Sequence, residues 1–222
     1  MKTTESSSNV VSEAIYRRYL ELLLNGDRVK CGNIVDDLLA KDIALIDLYT
    51  HLFQRSLYEI GELWERNRIS VAREHLVTSL TEGLLTKLYP ILFEQVHRKE
   101  DKAIISCAAN EFHQVGGKMA ADILELEGWH TYFLGANTPT EELLKLIDEV
   151  KPKLVGLSLS IYFNLPALKE CIEATHSANP NLDIIVGGQA FLHGGKDLLS
   201  SLPSTNYIAS LEELRKSLQK SP

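Results

Sequence analysis

The hydrophobic pattern of this chain changes period once, at "HRKEDK" (97–102), and that change limits the possible folds more than any other feature. Upstream, apolar residues recur three and four apart and no segment alternates, which is the pattern of helices packing on one stripe. Downstream, short apolar runs alternate with amphipathic stretches, the pattern of strands each followed by a helix. With 222 residues, 45% of them apolar, each half has material for a core of its own.

The upstream half reads as four helices. "EAIYRRYLELLLN" ends at Asn25-Gly26, a helix stop, and Asp27 is placed to cap a second helix through "VKCGNIVDDLLA". Leu45, Leu48, Tyr49, Leu52, Phe53, Leu57, Ile60, Leu63 and Trp64 form one long stripe for a third. Asn67-Arg68 turns the chain, and a fourth helix runs from about residue 70 to 93. Short connections between four helices predict an antiparallel bundle over residues 10–97, preceded by a polar, disordered tail at 1–9.

The downstream half, 98–222, offers strands at "AIISCAA", "HTYFLG", "LVGLSLS", "DIIVGG" and "NYIAS", with helices near 116–127, 140–150, 166–178, 190–200 and 210–219. Five β-α units predict a flavodoxin/Rossmann-like five-stranded parallel sheet. The chain is therefore an α/β protein with a helical bundle at its N-terminal side, and ligands of such sheets bind at the carboxyl ends of the strands.

Several partner classes are excluded before that edge is considered. A formal charge of −7 leaves no basic face for a nucleic-acid backbone, so no direct nucleic-acid partner is expected. No run approaches the roughly 18 apolar residues of a membrane span. Cys31, Cys107 and Cys171 are scattered, odd in number and without a Cys-x-x-Cys pair, which points away from disulfides and zinc and fits a reducing cytoplasm.

On the carboxyl edge, the first strand leads into "EFHQVGG". Neither Gly-x-Gly-x-x-Gly nor a Gly-Lys-Ser/Thr loop is present, so this is not a dinucleotide or phosphate turn. His113 projects from the loop instead, and neutral imidazole is the commonest metal ligand. A carboxylate at Glu111 can hold its second nitrogen and fix the tautomer. One strong ligand is too few for zinc but enough for a metal that carries its own equatorial ligands. Gly116-Gly117 permit close approach of a bulky group, and Ser158, Ser160, Gly187 and Gly188 end the third and fourth strands. His51, His97, His130, His176 and His193 have no comparable setting.

Glu111-x-His113-x-x-Gly116, then Ser158, then Gly187-Gly188, resembles the Asp-x-His-x-x-Gly, Ser-x-Leu and Gly-Gly signature of methionine-synthase-like cobalamin-binding modules. Glu stands in place of the usual Asp, and "SLS" in place of Ser-x-Leu. "GELWERNRISVAREH" adds Trp64, nine intervening residues and Glu74-His75, similar to the motif that light sensors of the CarH/LitR type hold over the upper face of adenosylcobalamin. The resemblance covers nearly the whole chain.

The resemblance implies that His113 is the lower axial cobalt ligand and Glu111 its supporting partner. Gln114, Val115, Gly116, Ser158, Ser160, Gly187 and Gly188 would line the cofactor loop and the slot for its nucleotide tail, with Trp64, Glu74 and His75 over the upper face. Adenosylcobalamin is the expected cofactor, with methylcobalamin or hydroxocobalamin as other forms. Some sensors of this type carry His directly after the motif tryptophan; here it is Glu65. Relatives also carry a helix-turn-helix domain ahead of the bundle, so this chain is expected to signal through a transcriptional regulator or other signalling protein, or through homo-oligomerisation. The alternative is a corrinoid carrier protein of a methyltransferase system, sharing His113 and the sheet.

Overall fold

The computed structural model describes residues 11–96, 98–192, 194–199, 202 and 204–220. The tail expected at 1–9 lies outside these residues, as do His97 and His193. The chain divides into two compact units, at Pro90/Ile91.

The first unit is built from helical rods. Helix α1 (Glu13–Asn25) starts at Ser12, whose hydroxyl accepts from the Ile15 N–H, and stops at left-handed Gly26. Asp27 then accepts from the Lys30 N–H at 3.1 Å and opens α2 (Arg28–Leu39), as the sequence predicts. The third rod is continuous but not uniform: α3 (Leu45–Leu48) passes through a π-helical stretch, Tyr49–Gln54, into α4 (Arg55–Glu65). Its wider turns rotate the later residues. Ser56 and Ile60 are buried there, whereas Leu57 and Leu63, expected on the core stripe, are only half-buried. Asn67, at φ 55°, turns the chain, and Ser70 accepts from the Arg73 N–H at the start of α5 (Val71–Gln95). Tyr16, Tyr19, Leu23, Cys31, Tyr49, Phe53 and Leu85 are fully buried in this unit.

The second unit is a five-stranded parallel sheet, β1 (Lys102–Cys107), β2 (His130–Gly135), β3 (Leu154–Ser158), β4 (Asp183–Gly187) and β5 (Thr205–Tyr207), in the order β2-β1-β3-β4-β5. Between the strands run α6 (Val115–Leu126), α7 (Thr140–Val150) and α8 (Leu165–Ala178), and α10 (Leu211–Lys220) follows the last. The helix expected at 190–200 is instead a 3-10 turn, Gln189–Leu192, and a single α-turn, α9 (Lys196–Leu199). Gly194 and Gly195 lie between them at φ 133° and 85°, values that end a right-handed helix.

The reversal of strand order around β1 and β3 opens a crevice at their carboxyl ends. There Cys107 pairs in register with Ser158, and Ser158 with Gly187, so the last residues of three strands form one line. Among the described residues no helix is long and apolar enough to cross a membrane.

Candidate functional site

Glu111 and His113 lie on the β1–α6 loop, at the crevice. The His113 Nδ1 is 2.6 Å from Glu111 Oε1, and that same oxygen accepts the His113 backbone N–H at 2.9 Å. The other carboxylate oxygen accepts the N–H groups of Ser160 and Ile161, at 2.8 and 2.9 Å, from the loop after β3. Glu111 is thus completely buried but bonded at both oxygens. Burial by itself would raise its pKa. Hydrogen bonds from the His113 ring and from the N–H groups of Ile161, His113 and Ser160 outweigh that effect and hold the carboxyl down at about 2.

A carboxylate that stays ionised makes Nδ1 the protonated nitrogen of a neutral His113 and raises the basicity of Nε2. Nε2 is then the ring atom suited to an axial metal bond, and the His113 side chain is 48% exposed while its partner is buried. Below it, the Cys107 thiol is directed at the His113 carbonyl at 3.8 Å. Burial, with the Glu111 charge beside it, pushes that thiol up to about 12, so Cys107 remains protonated.

Small residues end β3 and β4 and open α6. A methyl group built on Gly116 would make only ordinary contact with the Ser158 hydroxyl, at 3.9 Å, so this position at the start of α6 is not tightly packed. Gly117 is more closely packed, by Phe133, Ser158 and Cys107. Gly188 serves the fold: at φ 121° its added carbon would fall 2.1 Å from the Leu159 carbonyl oxygen. Gly187 likewise approaches the Ile208 carbonyl. Ser158 is buried as the last residue of β3, and Ser160 contributes its backbone N–H to Glu111. Val115 is buried at the start of α6, and the Gln114 side-chain oxygen, Oε1, accepts the Ala136 N–H at 3.2 Å. One imidazole with a buried, ionised carboxylate bonded behind it fits a cofactor whose metal needs a single protein ligand. Among the described residues no group of three or more His, Cys, Asp or Glu side chains is placed to hold a metal ion.

Trp64, Glu74 and His75 belong to the first unit, on either side of the α4–α5 turn. Trp64 is 38% exposed near the end of α4. Glu74 lies in the first turn of α5, where its charge favours the helix dipole, and accepts from the Thr78 hydroxyl at 2.8 Å. His75 Nε2 is 3.6 Å from Glu74. The turn therefore gathers all three at one end of the helical unit.

Sequence reasoning reached the Glu111–His113 pair but missed Ile161 and three asparagines, Asn110, Asn137 and Asn164, that bond to the loop. Their only sequence signal is that Asn110 and Asn137 stand just beyond strands, at positions that prove to be left-handed.

Residues 101–207 match the family model of a B12 binding domain, and residues 15–89 match a second B12 binding domain model. Both halves of the chain match cobalamin-binding domains. The chain is 27% identical over 165 residues to the HTH-type transcriptional repressor CarH of Myxococcus xanthus, taking in 74% of this chain and 54% of the repressor. It therefore spans about half the length of that relative. It is 22% identical over 151 residues to Trimethylamine corrinoid protein 1 of Methanosarcina acetivorans, 66% of this chain and 68% of that one. The monomethylamine corrinoid protein of Methanosarcina barkeri shares the fold, with a TM-score of 0.82 at 14% identity over 95% of this chain and 100% of its own. The two B12 binding domain models and the similarity to corrinoid proteins support cobalamin binding.

Proposed function

We propose that this protein binds adenosylcobalamin with His113 as the lower axial ligand and acts as a light sensor that signals through a partner protein or self-association. The observation that carries cobalamin binding is the bonding of His113 Nδ1 to a buried, ionised Glu111. When bound, the cofactor supplies a cobalt-carbon bond that visible light breaks. In this reading His113 presents Nε2 and Glu111 holds the ring, with the small, loosely packed Gly116 at the start of the following helix. Light sensing is supported by Trp64 with Glu74-His75, gathered by one turn, and by the similarity to the repressor CarH.

The reading also gives the expected partner, a transcriptional regulator or other signalling protein. A second reading, a corrinoid carrier of a methyltransferase system, is supported by the similarity to the trimethylamine corrinoid protein. Illumination separates the two. Protein loaded with adenosylcobalamin in the dark is expected to change its absorption spectrum irreversibly under green light and to shift in elution volume or partner affinity. His113→Ala is expected to lose most of the affinity or to show the spectrum of cobalamin ligated by its own base or by water. A spectral change without any change in size or partner binding, identical in Trp64→Ala, would favour the carrier; tight binding with an unchanged spectrum in His113→Ala would remove His113 as ligand.

A further inference from the structure

We infer that Asn137 and Asn164 are positioning residues that clamp the backbone beneath Glu111 and thereby aim His113. The inference deepens the reading of His113 as a cobalamin ligand. It starts from a complete set of bonds around two residues. The Asn110 N–H donates to the Asn137 side-chain oxygen at 2.8 Å, and the Asn110 carbonyl accepts from the Asn164 side-chain amide at 2.9 Å. The Glu111 N–H donates to the Ala108 carbonyl at 3.0 Å, and the Glu111 carbonyl accepts the Asn137 N–H at 2.8 Å. All four polar groups of the Asn110-Glu111 backbone are therefore held, two of them by side chains from other loops.

The chemistry fixes which way each amide faces. A backbone N–H needs an acceptor, so Asn137 must present oxygen; a carbonyl needs a donor, so Asn164 must present nitrogen. Asn137 lies in the β2–α7 loop and Asn164 at the start of α8, so the clamp ties the His113 loop to the loops that follow both neighbours of β1, β2 on one side and β3 on the other. Gln114 adds a further tie on the β2 side through the Ala136 N–H. Such bracing matters because a rotation of the Glu111 backbone would carry its carboxylate away from the Ser160 and Ile161 N–H groups, and the imidazole with it.

Each asparagine also has an ordinary explanation, and the two explanations predict opposite results. Asn137 sits at φ 50°, where a turn alone would be satisfied at least as well by glycine. Asn164 occupies the N-cap of α8, where aspartate caps as well as asparagine, yet its side chain makes no cap bond. The clamp requires an acceptor at 137 and a donor at 164. Asn137→Asp should therefore preserve it and Asn137→Gly should break it, while Asn164→Asp and Asn164→Ala should both break it.

The test uses full-length apo-protein first. Hydrogen exchange of the His113, Ser160 and Ile161 amides, with the imidazole 15N shifts of His113, reports the clamp without any cofactor. Exchange should rise about tenfold in Asn137→Gly and Asn164→Asp and stay at the wild-type rate in Asn137→Asp, with Ile104 and Ile105 in β1 unchanged in all. Affinity for cobinamide, which lacks its own base, should fall about tenfold in the same two variants. Wild-type protection in both Asn137→Gly and Asn164→Asp would overturn the clamp. Should Asn137→Gly fail to fold, Asn164→Asp, at an exposed helix start, decides alone. Wild-type protein that binds no corrinoid would instead overturn the cobalamin reading, leaving the exchange result to judge the clamp.

Discussion

Glu111 shows why a single buried charge can be tolerated at an edge otherwise made of small residues. Its two oxygens accept from four N–H groups, two on His113 and one each on Ser160 and Ile161. The His113 part was legible in the sequence, because a carboxylate two residues before an imidazole on one loop has few other uses. The Ser160 and Ile161 part was not: it depends on β3 lying next to β1, a neighbourhood created by strand order rather than by any local pattern. Ser160, expected only to line the slot, also gives Glu111 its backbone N–H. Glu111→Gln keeps the shape but turns an NH2 group towards N–H donors on one side. An unsatisfied buried donor costs about 1–3 kcal/mol, so the apo-protein should unfold at lower urea by that amount, with an unchanged m-value. Loss of the His113 Nδ1 contact should also shift the spectrum of the holo-protein. A variant as stable as wild type, with an identical spectrum, would show that Glu111 neither braces the loop nor tunes the imidazole.

At the scale of elements, caps and periods were readable wherever local chemistry decided them. Gly26, Asp27 and Asn67 stop, start and turn helices as expected. The expected helix at 190–200 failed because Gly194-Gly195 adopt positive φ, which a periodicity search passes over. The π-helical stretch was also invisible, since its three-and-four spacing still reads as an α-helical stripe. Hydrogen bonds from i to i+5 accommodate about one residue more per such segment than an α-helix would. Deleting Thr50, whose buried hydroxyl has no hydrogen-bond partner, should let the stretch close as α-helix while Leu48 and Ile60 keep their facing. Deleting Glu59 instead should rotate the end of α4 by about 100°. The first deletion should melt within a few degrees of wild type and the second far lower; equal losses would mean that Tyr49–Gln54 is not a removable insertion.

The whole molecule comprises two compact units divided at Pro90/Ile91, and the hydrophobic period of the sequence changes a few residues later, at 97–102. The residues proposed to meet the cofactor fall in both units, His113 and Glu111 in the sheet unit, Trp64, Glu74 and His75 in the helical one. A ligand stabilises whatever folded part it binds, by about 2.7 kcal/mol when present at a hundred times its Kd. Hydrogen exchange read by mass spectrometry follows the peptides of each unit separately, so it can show which unit the cofactor holds. With adenosylcobalamin in the dark, protection should rise in β1, α6 and the β3–α8 loop, and also in α4 and the first turns of α5. Trp64→Ala should remove the second rise and spare the first, whereas His113→Ala should diminish both if, as proposed, one cofactor ligated by His113 also engages the helical residues. Light should reverse the protection of α4 and α5 alone if the helical residues hold the upper ligand. Protection confined to the sheet unit in both dark and light would remove Trp64, Glu74 and His75 from the cofactor site, and the sensor reading with them.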